Sequence, residues 1–378
     1  MFTKRLLAVI ITAITLFSLS LNTFATGMQF DAKSYLLMEA STGRVLLEEN
    51  ADAPLPPASV TKIMTLLLVM EAIEDGKIKL EDMVSVSNNA ASMGGSQVYL
   101  EPGETMSVDE MIKCVVVSSA NDAALALAEH VAGSEEIFVD RMNQRAKELG
   151  MQNTKFENTN GLDDTTTEHL TSARDIAIMS RELIRHPKIL EYSSIWMDTV
   201  RGGEFTLTNT NRLIRFYNGA NGLKTGSTSR AGFCISATAL RDGMQLIAVV
   251  MGSPNRDTRN EIAKKLLDYG FAGYAVAGFK AGELEPIRLL GGISKEVKLG
   301  YSDFSCVVEK GRQENIEKSI TLPENVTAPV KKGDIVGKIS YILDGSELGS
   351  VDIVSLENAD KIGYFGVLGR ILKNLVLI

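Results

Sequence analysis

At Gly273 the pattern of the 378-residue chain changes. Before it, runs with helical periodicity alternate with short apolar runs of strand type. After it, nearly every apolar run is a short strand candidate bounded by turn residues. One chain must therefore build two kinds of core, and it is long enough to do so. In the first part, Ser34–Met38 and Arg44–Leu47 read as strands around the turn Ser41-Thr42-Gly43. Gly232–Ala239 and Met244–Met251 read as a pair joined at Arg241-Asp242-Gly243. Lys62–Ile73, Asp109–Ala132, Ser172–His186 and Arg259–Tyr269 carry helical patterns, with Pro56-Pro57 ahead of the first and Pro187 stopping the third. Strands at both ends with helices between predict an α/β lobe over 26–274 whose sheet is completed from both ends of the segment. Ala275–Glu285 reads as a Gly/Ala-rich linker. Beyond it, Pro286–Leu290, Glu296–Tyr301, Ser305–Glu309, Lys338–Leu343 and Ser350–Leu356 predict a small all-β lobe over 275–360. Lys331-Lys332-Gly333-Asp334 and Asp344-Gly345 supply its turns.

The two ends differ from what lies between. Lys4 and Arg5 precede an apolar stretch, Leu6–Leu21, and Thr23-Phe24-Ala25 offers small residues where a signal peptidase reads. Residues 1–25 are thus expected to be a signal peptide and the protein to be exported. Near the other end, Tyr364, Val367, Leu368, Ile371, Leu372, Leu375 and Ile378 recur at helical spacing, with Arg370, Lys373 and Asn374 on the opposite side. A helix over 364–378 is about 22 Å long, short of a hydrocarbon core of roughly 30 Å. Residues 361–378 are therefore expected to lie on a membrane surface as an amphipathic helix.

Composition narrows the rest. Hydrophobic residues at 45% and charged residues at 23% exclude a polytopic membrane protein and a disordered chain. A net charge of −8 argues against nucleic acid as a partner. Three scattered histidines and three scattered cysteines give no metal-ligand spacing, so neither a metal nor another cofactor is expected. Cys114, Cys234 and Cys306 read as three small buried hydrophobes.

Three short motifs carry the chemistry. Ser59-Val60-Thr61-Lys62 opens the first long helix, where residues i and i+3 share a face and an amine can reach a serine hydroxyl. The amide groups of such a helix start also suit a developing oxyanion. About one S-x-x-K is expected by chance in a chain of this length, so the motif counts only through its place. Ser119-Ala120-Asn121 is second, and alone it means nothing, since Ser87-Asn88-Asn89 and Ser253-Pro254-Asn255 match equally well. Lys224-Thr225-Gly226 is third, directly before a strand pair and hence on an edge strand, where its glycine lets a substrate backbone approach. To act as a base near neutral pH, Lys62 must lose about 3 pKa units, roughly 4 kcal/mol. A second ammonium at about 4 Å supplies approximately that in an effective dielectric of 20, and burial adds more. Lys224 is the candidate neighbour.

In this order the motifs resemble those of the low-molecular-weight penicillin-binding proteins, D-alanyl-D-alanine carboxypeptidases of the peptidase S11 family. Pro57-Ala58-Ser59-Val60-Thr61-Lys62-Ile63-Met64-Thr65 is similar to that family's nucleophile block. Ser119-Ala120-Asn121-Asp122-Ala123-Ala124 is similar to its S-G-N-D-A block, and Asn221-Gly222-Leu223-Lys224-Thr225-Gly226 to its D-G-x-K-T-G block. Phe156–Leu162 and Ser172-Ala173-Arg174-Asp175 match connecting segments, and the Thr208–Lys224 stretch looks closest to Gram-positive, sporulation-associated members. The resemblance implies a penicillin-binding/β-lactamase-like transpeptidase fold, an antiparallel sheet with helices on both faces plus a helical subdomain, followed by a small all-β domain. It implies removal of the terminal D-alanine from peptidoglycan stem peptides ending in D-Ala-D-Ala, β-lactams as inhibitors, and a place at the outer face of the cytoplasmic membrane. Ser59 would be the acylated nucleophile, Lys62 its base, and Ser119 the proton shuttle to the leaving group. Asn121 would hold the substrate amide, and Lys224 and Thr225 the terminal carboxylate. Gly226 completes the motif, and the N–H groups of Ser227 and Ser59 would form the oxyanion hole. Some relatives carry Arg between two Asn residues upstream of K-T-G; here the segment is Asn209-Thr210-Asn211, and Arg212 or Arg215 could supply the cation.

Three rivals fit less well, the least of them a Ser-His-Asp hydrolase, since His130, His169 and His186 sit in helix-like or polar contexts with no nucleophile elbow. Glu157-Asn158-Thr159-Asn160 resembles the E-x-x-L-N loop of a β-lactamase, but its Asn falls one place early and no Leu is present. A non-catalytic binding protein would carry degraded motifs, and none is degraded.

Overall fold

The computed structural model describes residues 29–164 and 166–376, apart from the side chains of 373, 374 and 376. The expected signal peptide and Ile378 lie outside the described residues.

The first lobe is built on a five-stranded antiparallel sheet. Its strands are β1 (Ser34–Glu39), β2 (Val45–Glu49), β7 (Ala220–Thr228), β8 (Gly232–Arg241) and β9 (Met244–Ser253), in the order β2-β1-β9-β8-β7. Between the two groups the chain forms hairpins β3 (Met83–Ser85) with β4 (Thr105–Ser107), and β5 (Met197–Val200) with β6 (Phe205–Thr208). The helices of this stretch are α1 (Lys62–Glu74), α2 (Asn88–Ala91), α3 (Val108–Val117), α4 (Asn121–Ala132), α5 (Glu135–Glu148), α6 (Ala173–Leu183), α7 (Pro187–Ser193) and α8 (Leu213–Phe216). α9 (Arg256–Gly273) closes the lobe.

β8 and β9 are apolar almost throughout because both faces of the sheet are covered. Ile247, Val249 and Met251 join the core made with Ile63, Leu67, Ile176 and Met179 of α1 and α6. On the other face α9 comes so close that a Cβ at Gly270 would lie 2.5 Å from Leu246 and 3.0 Å from Leu37. The β8–β9 connection is a two-residue turn at Asp242 (φ +48°) and Gly243 (φ +77°), a left-handed pair that matches strand twist.

Three expectations change, and one helix is new. Pro187 does not stop a helix; α6 has already ended at Leu183, and Pro187 begins α7, where its missing N–H costs nothing. Ala275–Glu285 is no linker, because α9 runs into β10 (Tyr274–Phe279) and β11 follows at Gly282–Leu290. Its small residues serve close packing: a Cβ on Gly282 would meet Tyr301 Oη at 2.7 Å. Ser59 sits not on α1 but in a 3-10 turn, Ala58–Thr61, ahead of it. α5 gave no apolar signal, since only Phe138, Met142 and Ala146 are buried, one residue per turn.

The second lobe adds β12 (Glu296–Tyr301), β13 (Phe304–Glu309), β14 (Glu317–Thr321), β15 (Asn325–Thr327), β16 (Ile335–Leu343) and β17 (Ser346–Ser355). Six strands form a sheet in the order β14-β16-β17-β12-β11-β15, and β10 pairs with β13. Its core stacks Phe304 on Tyr341 (4.2 Å between centroids) with Phe279 beside them. The lobes meet where Arg44 donates to Val307 O and where Lys310 N donates to Gly273 O at 2.9 Å. α10 (Tyr364–Val376) ends the described chain, and Tyr364, Phe365, Val367, Leu368, Ile371, Leu372 and Leu375 are all exposed on it. Among the described residues no helix is long and apolar enough to cross a membrane. The three cysteines are buried and free, as expected.

Candidate active site

In a 3-10 turn residues i and i+3 eclipse, which puts Ser59 and Lys62 on one side. Lys62 Nζ lies 2.9 Å from Ser59 Oγ. Two glycines hold the turn. Gly226 of β7 passes so near that a Cβ there would lie 2.7 Å from Ser59 N and 2.9 Å from Pro57 O. Gly161, at φ +85°, abuts Ala58 O, which a Cβ would approach to 1.9 Å. Ala58 itself is left-handed at φ +48°, so the chain turns sharply into the serine.

Lys62 is fully buried, and its other partners are Asn121 Oδ1 at 2.5 Å and Asn160 O at 2.9 Å. Burial first, and the Lys224 ammonium second, hold its amine well below the ordinary lysine value, while Asp122 acts the other way. Burial, rather than the neighbouring charge that the motif pairing suggests, therefore has the larger share. Lys224, equally buried, donates to Ser119 Oγ at 2.8 Å and Thr225 O at 2.9 Å. Burial and then Arg259 bring its pKa down to about 7.

Ser119 lies between α3 and α4 at φ +63°, and that left-handed step brings its hydroxyl to Lys224. Asn121, the first residue of α4, donates from Nδ2 to Gly94 O at 2.7 Å. Asp122, also buried, accepts from Val98 N and Leu100 N at 3.1 Å and ties that loop to α4. The look-alike motifs do other work: Ser87 caps α2 and Asn255 caps α9.

Ser59, Ser119, Thr225, Gly226 and Ser227 line a cleft of about 610 Å³, with Lys62, Asn121 and Lys224 buried beneath. All eight residues singled out from sequence therefore converge. Asn209 Nδ2 donates to Ile195 O at 2.7 Å and Asn211 Nδ2 to Gly222 O at 2.8 Å, so both asparagines brace the loop. Thr210 accepts from Thr225 Oγ1 at 2.8 Å. Of the two arginines proposed as the extra cation, Arg212 lines the cleft. Arg215 instead lies over the Trp196 ring, 5.5 Å from its centroid. Sequence reasoning missed Arg256 and Arg259, which also line it. Arg259 is 3% exposed and bonds Asn260 Oδ1 at 2.9 Å and Cys234 O at 3.3 Å. A cation heading the apolar face that runs through Ile262 and Leu266 was the available signal.

Among the described residues no carboxylate lines this cleft. Glu157 is not among the residues that line the cleft; its carboxylate accepts from Glu168 N at 3.3 Å and pairs with Lys155 at 3.6 Å.

Residues 22–255 match the profile of the D-alanyl-D-alanine carboxypeptidase family. The chain belongs to that family. Residues 277–361 match a second profile, the C-terminal domain of penicillin-binding protein 5. D-alanyl-D-alanine carboxypeptidase DacF of Bacillus subtilis is 40% identical over 97% of both chains. DacC of Escherichia coli is 38% identical over 89% of this chain and 86% of that one. Among solved structures, penicillin-binding protein 5 of Haemophilus influenzae superposes with a TM-score of 0.80 at 34% identity, covering 88% of this chain and 99% of that one. The ampicillin-bound form of penicillin-binding protein D2 of Listeria monocytogenes has a TM-score of 0.59 at 32% identity, covering 65% of this chain and 98% of that one. This D-alanyl-D-alanine carboxypeptidase family member thus carries its family's catalytic and C-terminal parts together.

Proposed function

We propose that this protein removes the terminal D-alanine of peptidoglycan stem pentapeptides through an acyl-enzyme on Ser59. The observation that carries the reading is Lys62 Nζ at 2.9 Å from Ser59 Oγ, buried and held well below the ordinary lysine value. Neutral Lys62 takes the Ser59 proton as Oγ attacks the carbonyl carbon of the D-Ala-D-Ala bond. Ser59 N–H and Ser227 N–H receive the oxyanion. Ser119, bonded to Lys224, passes its proton to the departing D-alanine amine and takes in return the proton that Lys62 received from Ser59, and Asn121 holds the substrate amide. The terminal carboxylate binds Lys224 and Thr225, with Arg212 and Arg259 as further cations in the same cleft. Water then hydrolyses the ester. A cleft without a carboxylate suits a long-lived penicillin ester, in line with the ampicillin-bound relative.

In this reading residues 1–25 direct export, 26–274 catalyse, 275–360 form the β domain, and 361–378 anchor the enzyme at the outer face of the membrane. Labelling the purified protein with fluorescent penicillin and mapping the adduct by mass spectrometry tests the core of it: an ester on Ser59 is expected, and an adduct on Ser119 or none overturns it. Deleting 364–378 should release the mature protein from membranes with activity on soluble peptides intact. A truncated protein that stays with membranes, or is soluble but inactive, would overturn the role given to the tail.

A further inference from the structure

We infer that His169 is a positioning residue for acylation, its ring tying the 157–169 loop to the nucleophile turn and so holding Asn160 O within reach of Lys62. The inference rests on the Ser59–Lys62 reading above.

Its geometry has one allowed polarity. Glu157 N–H donates to His169 Nδ1 at 2.9 Å, so Nδ1 carries no proton. Nε2 must then be protonated, and it donates to Thr61 Oγ1 at 2.8 Å. The Thr61 hydroxyl in turn donates to Ala58 O at 2.9 Å, next to the nucleophile. The same seam between loop and turn carries Lys62 Nζ to Asn160 O and Thr65 Oγ1 to Thr159 O, at 2.9 and 2.5 Å. Gly161 closes it on Ala58 O with no room for a side chain. One ring thus fixes the start of the loop whose middle supplies an acceptor to the base. The loop is also tied to the end of β7, where Thr228 Oγ1 donates to Asp163 Oδ2 at 2.5 Å.

The ring is 2% exposed and meets Phe156 edge-on at 5.7 Å. Burial, the largest effect, lowers its pKa to about 4; Glu157 and Asp163 of its own loop pull the other way and are outweighed, while Arg230, between β7 and β8, adds to the lowering. The relay is therefore intact at neutral pH. Protonation would place an N–H at Nδ1 against Glu157 N–H, donor facing donor, and part the loop from the turn.

His169→Gln supplies an acceptor and a donor at nearly the same separation and does not titrate; His169→Ala supplies neither. The rate constant of acylation by fluorescent penicillin should be followed from pH 3.5 to 8 in the full chain, with thermal unfolding of the same samples. His169→Ala is expected to acylate at least tenfold slower at pH 7, with the apparent affinity for penicillin within twofold of the parent. His169→Gln should stay within threefold of the parent and lack the acid limb near pH 4. Thr61→Val should lose as much as His169→Ala, and the double variant no more than either. Parental acylation by His169→Ala, an unchanged acid limb in His169→Gln, additive losses, or a loss confined to affinity would each overturn the inference. If His169→Ala is unfolded at the assay temperature, the Gln and Val variants decide. A parent protein that forms no Ser59 ester would sink the underlying reading instead.

Discussion

In and beneath the cleft, Lys62, Lys224 and Arg259 are each 3% exposed or less. In the β lobe the buried side chains include Val297, Leu299, Ile339, Tyr341 and Ile353, and no charged side chain among the described residues there is buried. The buried cations of the first region are not neutralised by adjacent carboxylates; two lysines and an arginine instead share hydroxyl, amide and carbonyl acceptors. Taking such groups out of water is costly, and the amines respond by giving up protons. The first region thus trades stability for usable amines at neutral pH. The second is an apolar core whose ions lie at the rim and contribute little.

Several substitutions can break that contrast. The largest effect is expected at Lys62→Ala, which should slow penicillin acylation by about 10³-fold, within the 10²–10⁴ range for a general base. Lys224→Ala should mainly weaken binding of penicillin and of D-Ala-D-Ala peptides, read by separating affinity from the acylation step. Equal loss of the acylation constant in both variants, with binding unchanged, would show that the lysines do not divide the work. Tyr341→Ala should cost about 3 kcal/mol of stability by opening a cavity while leaving acylation of the folded protein unchanged. Calorimetry beside penicillin labelling checks both halves.

Two smaller effects sharpen the comparison. With its pKa near 7, Lys224 is charged below that pH and neutral above it. Affinity for carboxylate ligands should therefore fall several-fold between pH 6 and 8, and less steeply in Lys224→Ala; titration of the non-covalent binding constant would show it. Tyr341 Oη is buried without a partner among the described residues. Tyr341→Phe should accordingly raise stability by up to about 1 kcal/mol.

Much of this was legible in the chain because it is written in neighbouring residues. The serine three before a lysine, the hairpin at Asp242-Gly243, the apolar runs of β8 and β9 and the tail helix each depend on local spacing, and local spacing survives folding. The change of pattern at Gly273 is also local, although the stretch after it reads as a linker, because small residues look alike in a flexible segment and in a tightly packed strand. α5 escaped notice for the converse reason: its buried face is one residue wide.

What only the tertiary structure decided is which distant atoms meet. Nothing in the order of residues says that Asn160 O completes the shell of Lys62, that Arg259 of α9 reaches the cleft, or that burial does more than Lys224 to lower the pKa of Lys62. Nor does it distinguish Ser119-Ala120-Asn121 from Ser87-Asn88-Asn89, since the difference is that one serine faces a buried lysine and the other caps a helix. Motif spacing specifies chemistry within a turn or two of backbone. Desolvation and hydrogen-bond direction depend on what packs from elsewhere in the chain, and those two quantities decide which protons move.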